Sequence, residues 1–294
     1  RTVPCATALE ASVRELRLIA EHDPPYNRRS RRPQRRPWVR LTDEPFPRLS
    51  VVHQVPVDRI DEVIGPFASR RAATQAMEAL QQAVALRRCS PRLPRTPPPG
   101  AVACVLAELG RCGAPCTGAQ GHAAYAAVVH EARAALGPDV TAVVAAGRAR
   151  IAELAGRQRY EEAATERDRL RAFLAGARRT ERLRPLVTAP EVVAARRRPE
   201  GGWELVLVRH GRLAGTTVTA PGADPVPELA SLRATGEVVP APTTVCGAAT
   251  AEETELVADW LEQEGVRLVS AEGAGHPMAR SLRGAARHHP FGAG

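Results

Sequence analysis

Cys104-Val-Leu-Ala-Glu-Leu-Gly-Arg-Cys112-Gly-Ala-Pro-Cys116 closes a run of four cysteines that begins at Cys89. The spacing is C-x14-C-x7-C-x3-C. Thiols grouped this tightly usually hold a metal, and the last two can meet one ion because Gly113, Ala114 and Pro115 make a short loop that turns both sulfurs inward. Three chemistries compete for the quartet: an iron–sulfur cluster, a structural zinc, or two disulfides of a secreted protein. The disulfides are weakest, because the sequence shows no signal peptide and its six cysteines in 294 residues are too sparse for a disulfide scaffold. Zinc favours paired C-x2-4-C arms and only one arm here fits, whereas cluster sites tolerate irregular spacing, so spacing alone leaves zinc and iron–sulfur open. Cys5 and Cys246 stand alone in sequence and read as small apolar residues.

Around this segment the chain is long enough for two or three small domains, each with its own core. All 41 basic side chains are arginine, against 32 acidic ones, and the net charge of +9 with a pI near 10.2 suits a polyanionic partner. The absence of lysine, with abundant alanine and 3% aromatics, points to a GC-rich genome, so arginine is not by itself a sign of selected bidentate contacts. No stretch of about 18 apolar residues is present to span a membrane, which gives the expectation of a cytoplasmic protein without a membrane partner. The chain opens on Arg1-Thr-Val-Pro rather than on methionine and reads as a fragment.

Apolar residues Leu9, Val13, Leu16, Ile19 and Ala20 recur at three and four residues and predict an amphipathic helix over 8–22, ended by Asp23-Pro24-Pro25. Residues 28–36 carry six arginines and no acid. Strands are predicted over 37–42 and 47–55 around the turn-prone Asp43-Glu44-Pro45, followed by a helix over 69–86 with Ser69 as N-cap. Five prolines mark 91–100 as a loop, and 121–137 is an alanine-rich helix. Two helical stretches between Val140 and Arg178, broken around Gly156-Arg157-Gln158-Arg159, predict an antiparallel hairpin whose apolar sides are Val143, Gly147, Ile151 and Leu154, then Tyr160, Ala163, Ala164, Leu170 and Leu174. Such a hairpin has too little area for its own core, so one apolar edge is expected to be left for a partner. Strands at 203–208 and 212–219 flank the turn His210-Gly211, a helix covers 251–264, a short strand covers 266–270, and the tail from Gly275 is expected to fray.

Several of these segments, in one order, resemble the GIY-YIG nucleases of the UvrC excinuclease and Cho-like type. Glu10-Ala-Ser-Val-Arg-Glu15-Leu-Arg-Leu-Ile-Ala-Glu-His22-Asp-Pro-Pro-Tyr26-Asn27 is similar to the helix and exit that carry this family's metal-binding glutamate. Trp38-Val-Arg-Leu-Thr42, Glu44-Pro-Phe-Pro-Arg48-Leu and Gly65-Pro-Phe-Ala-Ser69 resemble the elements that follow it. Gly110-Arg-Cys112-Gly-Ala-Pro-Cys116 resembles the cysteine-rich module, and Tyr160-Glu-Glu-Ala163-Ala164-Thr-Glu-Arg167-Asp168-Arg-Leu170 resembles the UVR helical hairpin. The resemblance covers residues 8–175 and is far weaker over 186–294. It implies an α+β multidomain chain: the C-terminal part of a GIY-YIG α/β domain at 1–88, a cysteine-rich module at 89–138, a UVR-type helical hairpin at 139–182 and a small α/β region at 183–294.

The function implied is metal-dependent hydrolysis of DNA phosphodiesters in a repair nuclease related to nucleotide excision repair. Glu15 would hold a divalent Mg or Mn ion and Asn27 would order the site, while Arg28, Arg29, Arg31, Arg32, Arg35, Arg36 and Arg40 would grip DNA backbone. Cys89, Cys104, Cys112 and Cys116 would carry a [4Fe-4S] cluster, with zinc as the alternative, since relatives hold a cluster at matching cysteines. Tyr160, Glu161, Ala163, Ala164, Arg167 and Asp168 would bind another repair protein, most plausibly the excinuclease helicase subunit. The family's GIY and YIG strands have no counterpart here, so this fragment alone is expected to be inactive, and the C-terminal region shows no ribonuclease-H-like acidic pattern. A relative with a DEDD-type 3′–5′ exonuclease domain upstream fits best. The rival reading is a non-catalytic DNA-binding adaptor that keeps the cysteine site and the hairpin and never cuts.

Overall fold

The computed structural model describes residues 3–24 and 36–272. It is an α+β protein with two antiparallel sheets, and it divides into two compact units. Of the described residues, one comprises 37–53 and 61–180; the other comprises 3–24, 36, 54–60 and 181–272.

In the first unit, strands β1 (Trp38–Leu41), β2 (Leu49–Val52) and β3 (Val63–Ile64) form a sheet in the order β2-β1-β3. Leu41 stands opposite Leu49, and the turn between them is closed by the Thr42 amide donating to the Arg48 carbonyl at 2.9 Å. Helix α2 (Arg70–Ala83) starts where Ser69 Oγ accepts from the Ala72 amide at 3.2 Å, so the expected N-cap is present. A short α3 (Val105–Glu108), then α4 (His122–Leu136), α5 (Thr141–Gly156) and α6 (Tyr160–Thr188) follow. Val39, Leu41, Phe46 and Ile64 of the sheet side bury themselves against Ala73, Ala76 and Leu80 of α2 and against the helices after it.

The helical pair α5–α6 forms with the predicted break, since Gln158 takes φ 58° and lets the chain reverse between Gly156 and Tyr160. Close approach is allowed by Gly147, where a Cβ would come within 3.2 Å of a Leu170 methyl. The apolar edge does not remain open for a partner. Val143, Val144, Leu170, Phe173 and Leu174 are buried in the unit's own core, because burial there removes more apolar surface from water than a two-helix pair can by itself. The second helix also runs past Arg178 to Thr188, through Pro185.

The second unit is a four-stranded sheet in the order β6-β5-β4-β7, from β4 (Val192–Arg197), β5 (Trp203–Arg209), β6 (Arg212–Val218) and β7 (Val266–Ala271). His210 and Gly211, at φ 50° and 78°, make the two-residue turn that the sequence signals between β5 and β6. Val192, Ala194, Val206 and Val208 face Leu9 and Val13 of α1 (Ala8–His22) and Val257 and Trp260 of α8 (Ala251–Leu261). The alternate residues Val193, Ala195, Leu205 and Leu207 face Leu232 of α7 (Pro225–Thr235). A sheet covered on both faces explains why β4 and β5 read as continuous apolar runs.

Helix α1 is fixed to this sheet by polar contacts as well. Thr7 Oγ1 accepts from the Glu10 amide at 3.1 Å while Glu10 Oε2 accepts from the Ala6 amide at 2.8 Å and from Thr216 Oγ1 at 3.1 Å. Arg17 donates to the Leu213 carbonyl at 2.9 Å and pairs with both oxygens of Glu253, at 2.6 and 3.2 Å. Glu253 is only 2% exposed, and it also accepts from the Leu213 amide at 3.0 Å.

Candidate functional site

The cysteine segment is built on a buried arginine. After α2 the chain runs extended through Val84 and Leu86, both buried, to Arg87, whose side chain is 0% exposed. Its guanidinium pairs with Glu44 at 2.6 Å and donates to the carbonyls of Phe46 at 2.6 Å, Cys89 at 2.8 Å and Pro91 at 2.8 Å. It also reaches the Cys89 sulfur at 3.3 Å. Tyr125 of α4 completes this centre, because its hydroxyl accepts from the Arg87 amide at 3.1 Å and donates to the Pro47 carbonyl at 2.6 Å. Burial pushes the Tyr125 phenol up to about 12, and its ring meets Phe46 edge-on at 5.4 Å. The β1–β2 turn, the end of α2, the first cysteine and α4 are thereby joined through one residue, by its guanidinium and its amide.

From there the loop brings the sulfurs together. Cys104 precedes α3, Gly110 turns the chain at φ 66°, and Ala114 takes φ 52° between Cys112 and Cys116. The Thr117 amide and hydroxyl both donate to the Ala114 carbonyl, at 3.1 and 3.0 Å, which locks that turn. All four of Cys89, Cys104, Cys112 and Cys116 line one small cavity, with Leu93, Leu106 and Pro115 among its apolar walls. All are free thiols, Cys104 exposed and the other three half-buried. Burial pushes the Cys112 thiol up, and the charges of Cys104, Cys89 and Cys116 push it further. Among the described residues, no three ligating side chains stand as close together as an ion would draw them. The donor set is nonetheless thiophilic: four sulfurs line one small space, with no carboxylate or imidazole among its walls. Cys5 and Cys246 line no part of it, and burial raises the Cys246 thiol to about 11, as suits a small apolar residue.

The other expected site residues are placed as follows. Glu15 is exposed on α1, away from the face that buries Leu9 and Val13. Asn27, Arg28, Arg29, Arg31, Arg32 and Arg35 lie outside the described residues. Arg36 pairs with Glu252 of α8, and Arg40 pairs with Asp43 at 3.1 Å. At the tip of the α5–α6 pair Tyr160 is 66% exposed, Glu161 and Asp168 are exposed, Ala164 and Arg167 are half-buried, and Ala163 is buried. Arg87 and Glu44 are the pair that sequence reasoning did not assign. The signal available for them was a charge directly after the buried Val84-Ala-Leu86 run and an acid in the turn Asp43-Glu44-Pro45-Phe46-Pro47.

Residues 36–135 match the UvrC/Cho excinuclease middle domain. A Mycobacterium tuberculosis protein, whose name gives it a bifunctional exonuclease/endonuclease role, is 41% identical over 288 residues, covering 96% of this chain and 43% of that protein. The chain is UvrC/Cho-like. The UvrABC system protein C of Symbiobacterium thermophilum is 33% identical over 71% of this chain and 33% of its own length, and that of Haloarcula marismortui is 32% identical over 92% and 47%. The chain thus spans less than half the length of these curated relatives. No solved structure matches it. In this UvrC/Cho-like chain the matched middle domain contains the four cysteines, Glu44, Arg87 and Tyr125, while Glu15 and the tip of α5–α6 lie outside it. Among the described residues no helix is long and apolar enough to cross a membrane.

Proposed function

We propose that the chain is part of a DNA-repair nuclease that hydrolyses phosphodiesters at a GIY-YIG-type site, with a four-cysteine cluster module and a protein-docking helical hairpin. The observation that carries this reading is the convergence of Cys89, Cys104, Cys112 and Cys116 on one cavity inside the segment that matches the UvrC/Cho middle domain. A [4Fe-4S] cluster suits this set better than zinc, because the ligands come as one C-x3-C arm and two distant single cysteines. The cluster's part is structural: it would cross-link the loop that Arg87 and Tyr125 anchor.

For the cutting site, Glu15 is the proposed ligand of a divalent ion, and its exposure on α1 leaves the carboxylate accessible. Such an ion supplies charge stabilisation to the leaving oxygen. Asn27 would order the site, and the arginines between Arg28 and Arg40 would hold backbone phosphates. The name of the Mycobacterium tuberculosis relative supports an exonuclease fused to the endonuclease in the intact protein. The names of the UvrABC relatives support docking to another component of that system, the helicase subunit, through the exposed Tyr160 tip. The intact protein is expected to nick damaged or branched duplex with magnesium, and Glu15→Ala to abolish nicking. Equal activity in both proteins would sink the assignment of Glu15. Anaerobic purification tests the module separately: a brown protein with iron and sulfide is expected, and a colourless zinc protein would overturn the cluster.

A further inference from the structure

Beside the cysteine module, within the same compact unit, lies an open cleft of about 510 Å3 whose charged lining is Arg88, Arg111, Arg150, Arg169, Glu78 and Glu166. Its size falls in the roughly 300–1,000 Å3 range of ligand-holding clefts. The lining residues come from α2, the segment after it, the cysteine loop, α5 and α6, so five pieces of chain converge on one place. Two of the arginines already have carboxylates: Arg169 is held by Glu78 at 2.7 Å and Glu166 at 2.6 Å, and Arg150 by Glu153 at 2.7 Å. Arg88 and Arg111 pair with no described carboxylate. Arg88 donates only to the Gln81 carbonyl, at 2.9 Å, and its Nε is buried without a hydrogen-bond partner among the described residues. A half-buried cation facing other cations, with an unused donor, is a site that an anion relieves.

We propose that this cleft binds the phosphodiester backbone of DNA, with Arg88 and Arg111 as the contacting guanidiniums, while Arg169 and Arg150 are held by their own carboxylates. The inference rests on the reading of the chain as DNA-binding and adds to it a contact surface separate from the arginines at 28–40. An open cleft suits a strand that passes through it, and Arg88 sits next to Cys89, so loading of the cysteine site would set the position of one phosphate contact. Arginine rather than a point charge fits here, because its planar fork can bridge two phosphate oxygens.

The test uses the full 294-residue chain, loaded as purified anaerobically, and a fluorescein-labelled duplex of random sequence followed by anisotropy. Salt is varied from about 50 to 200 mM, over which each neutralised phosphate contributes about 0.9 to the slope of log K against log salt. Arg88→Gln/Arg111→Gln is expected to reduce that slope by about 1.8, and Arg111→Gln alone by about 0.9. Arg111 is exposed, so the single variant keeps the test valid if the double variant folds poorly. The control Arg70→Gln/Arg71→Gln removes the same charge from two exposed positions at the start of α2, outside the cleft, and is expected to leave the slope near that of the wild type. Equal slopes for cleft and control variants would overturn the proposal. An unchanged duplex slope with calorimetric binding of inorganic phosphate that depends on Arg111 would overturn it too, reassigning the cleft to a free phosphate. A wild-type chain that binds no duplex at all would overturn the cleft as well, whereas the nuclease reading stands or falls separately on nicking by the intact protein.

Discussion

Removing the Arg87 guanidinium should loosen the whole cysteine module, and the size of the effect can be worked from its contacts. Arg87→Ala deletes an ion pair to Glu44 at 2.6 Å and the donors to the carbonyls of Phe46, Cys89 and Pro91. Glu44, with its side chain 8% exposed, then loses its closest cation and keeps the Thr42 hydroxyl and the more distant Arg48, at 3.8 Å, against its buried charge. Breaking a buried pair from one side costs about 3–5 kcal/mol, and each charge-assisted hydrogen bond about 1.5–3 kcal/mol, although these do not add because the groups share one network. About 4 kcal/mol is a large fraction of the roughly 5–15 kcal/mol that holds a domain together. Hydrogen exchange read peptide by peptide separates this unit from the other, which a single melting curve would not. Protection is expected to fall over 42–49, 84–93 and 122–129 and to hold over 192–218. The double variant Glu44→Gln/Arg87→Met should cost less than Arg87→Ala alone, since it leaves no orphaned charge. Arg87→Ala with wild-type protection in all three segments would refute the claim that this arginine anchors the module.

Arg17→Ala should destabilise the other unit by about 3 kcal/mol, because it takes from the buried Glu253 its closest cation and leaves Arg212 at 4.0 Å, and hydrogen exchange over 192–218 would read it. Gly176→Ala should also destabilise, by about 1–3 kcal/mol, despite alanine's better helix propensity, since its Cβ would fall 2.3 Å from the buried Phe67 ring; thermal denaturation gives the sign. The raised Tyr125 phenol means the fold prefers its neutral form, so stability from this group is intact below the ordinary tyrosine pKa of about 10 and is lost as pH climbs towards about 12. Tyr125→Phe should flatten that alkaline decline, and unfolding midpoints at several alkaline pH values would show whether it does. In metal-free protein the raised Cys112 thiol should alkylate more slowly than a free thiol at neutral pH, measured by mass spectrometry of its peptide after a short iodoacetamide pulse.

The elements that sequence resolved well are those with a period or a stop signal. Helix α1 was legible over 8–22 because Leu9 and Val13 repeat at helical spacing and Asp23-Pro24 ends the run. The turn between β5 and β6 was legible because His210-Gly211 accepts positive φ between two apolar strands. Strand β4 was not, since Val192-Val-Ala-Ala is apolar on both faces and shows no alternation to tell it from a buried helix. Helix α7 was obscured by its own prolines: Pro225 and Pro227 look like loop residues, yet Asp224 caps them into a helix start, accepting from the Val226 amide at 3.0 Å. At the candidate site the cysteines were visible as a group, but Arg87 was not. A buried arginine is chosen by tertiary partners 41 to 43 residues away, Phe46 and Glu44, and no local pattern encodes them.

Electrostatics then bears on which group the four thiols are suited to hold. Four thiolates in a half-buried cavity need compensating positive charge, and the nearest candidate, Arg87, has its cation already paired to Glu44. Arg88 stands at the cavity wall too, but it is a single charge and is partly desolvated. The protein therefore supplies far less than the charge that four thiolates carry, and burial together with the neighbouring sulfurs raises the Cys112 thiol accordingly. Metal loading should accordingly release protons, and its apparent affinity should rise with pH. That dependence separates a ligand quartet from four structural thiols: proton release on adding iron and sulfide, lost stepwise in serine variants of Cys89, Cys104, Cys112 and Cys116, requires all four sulfurs to meet one group, whereas structural thiols would release none.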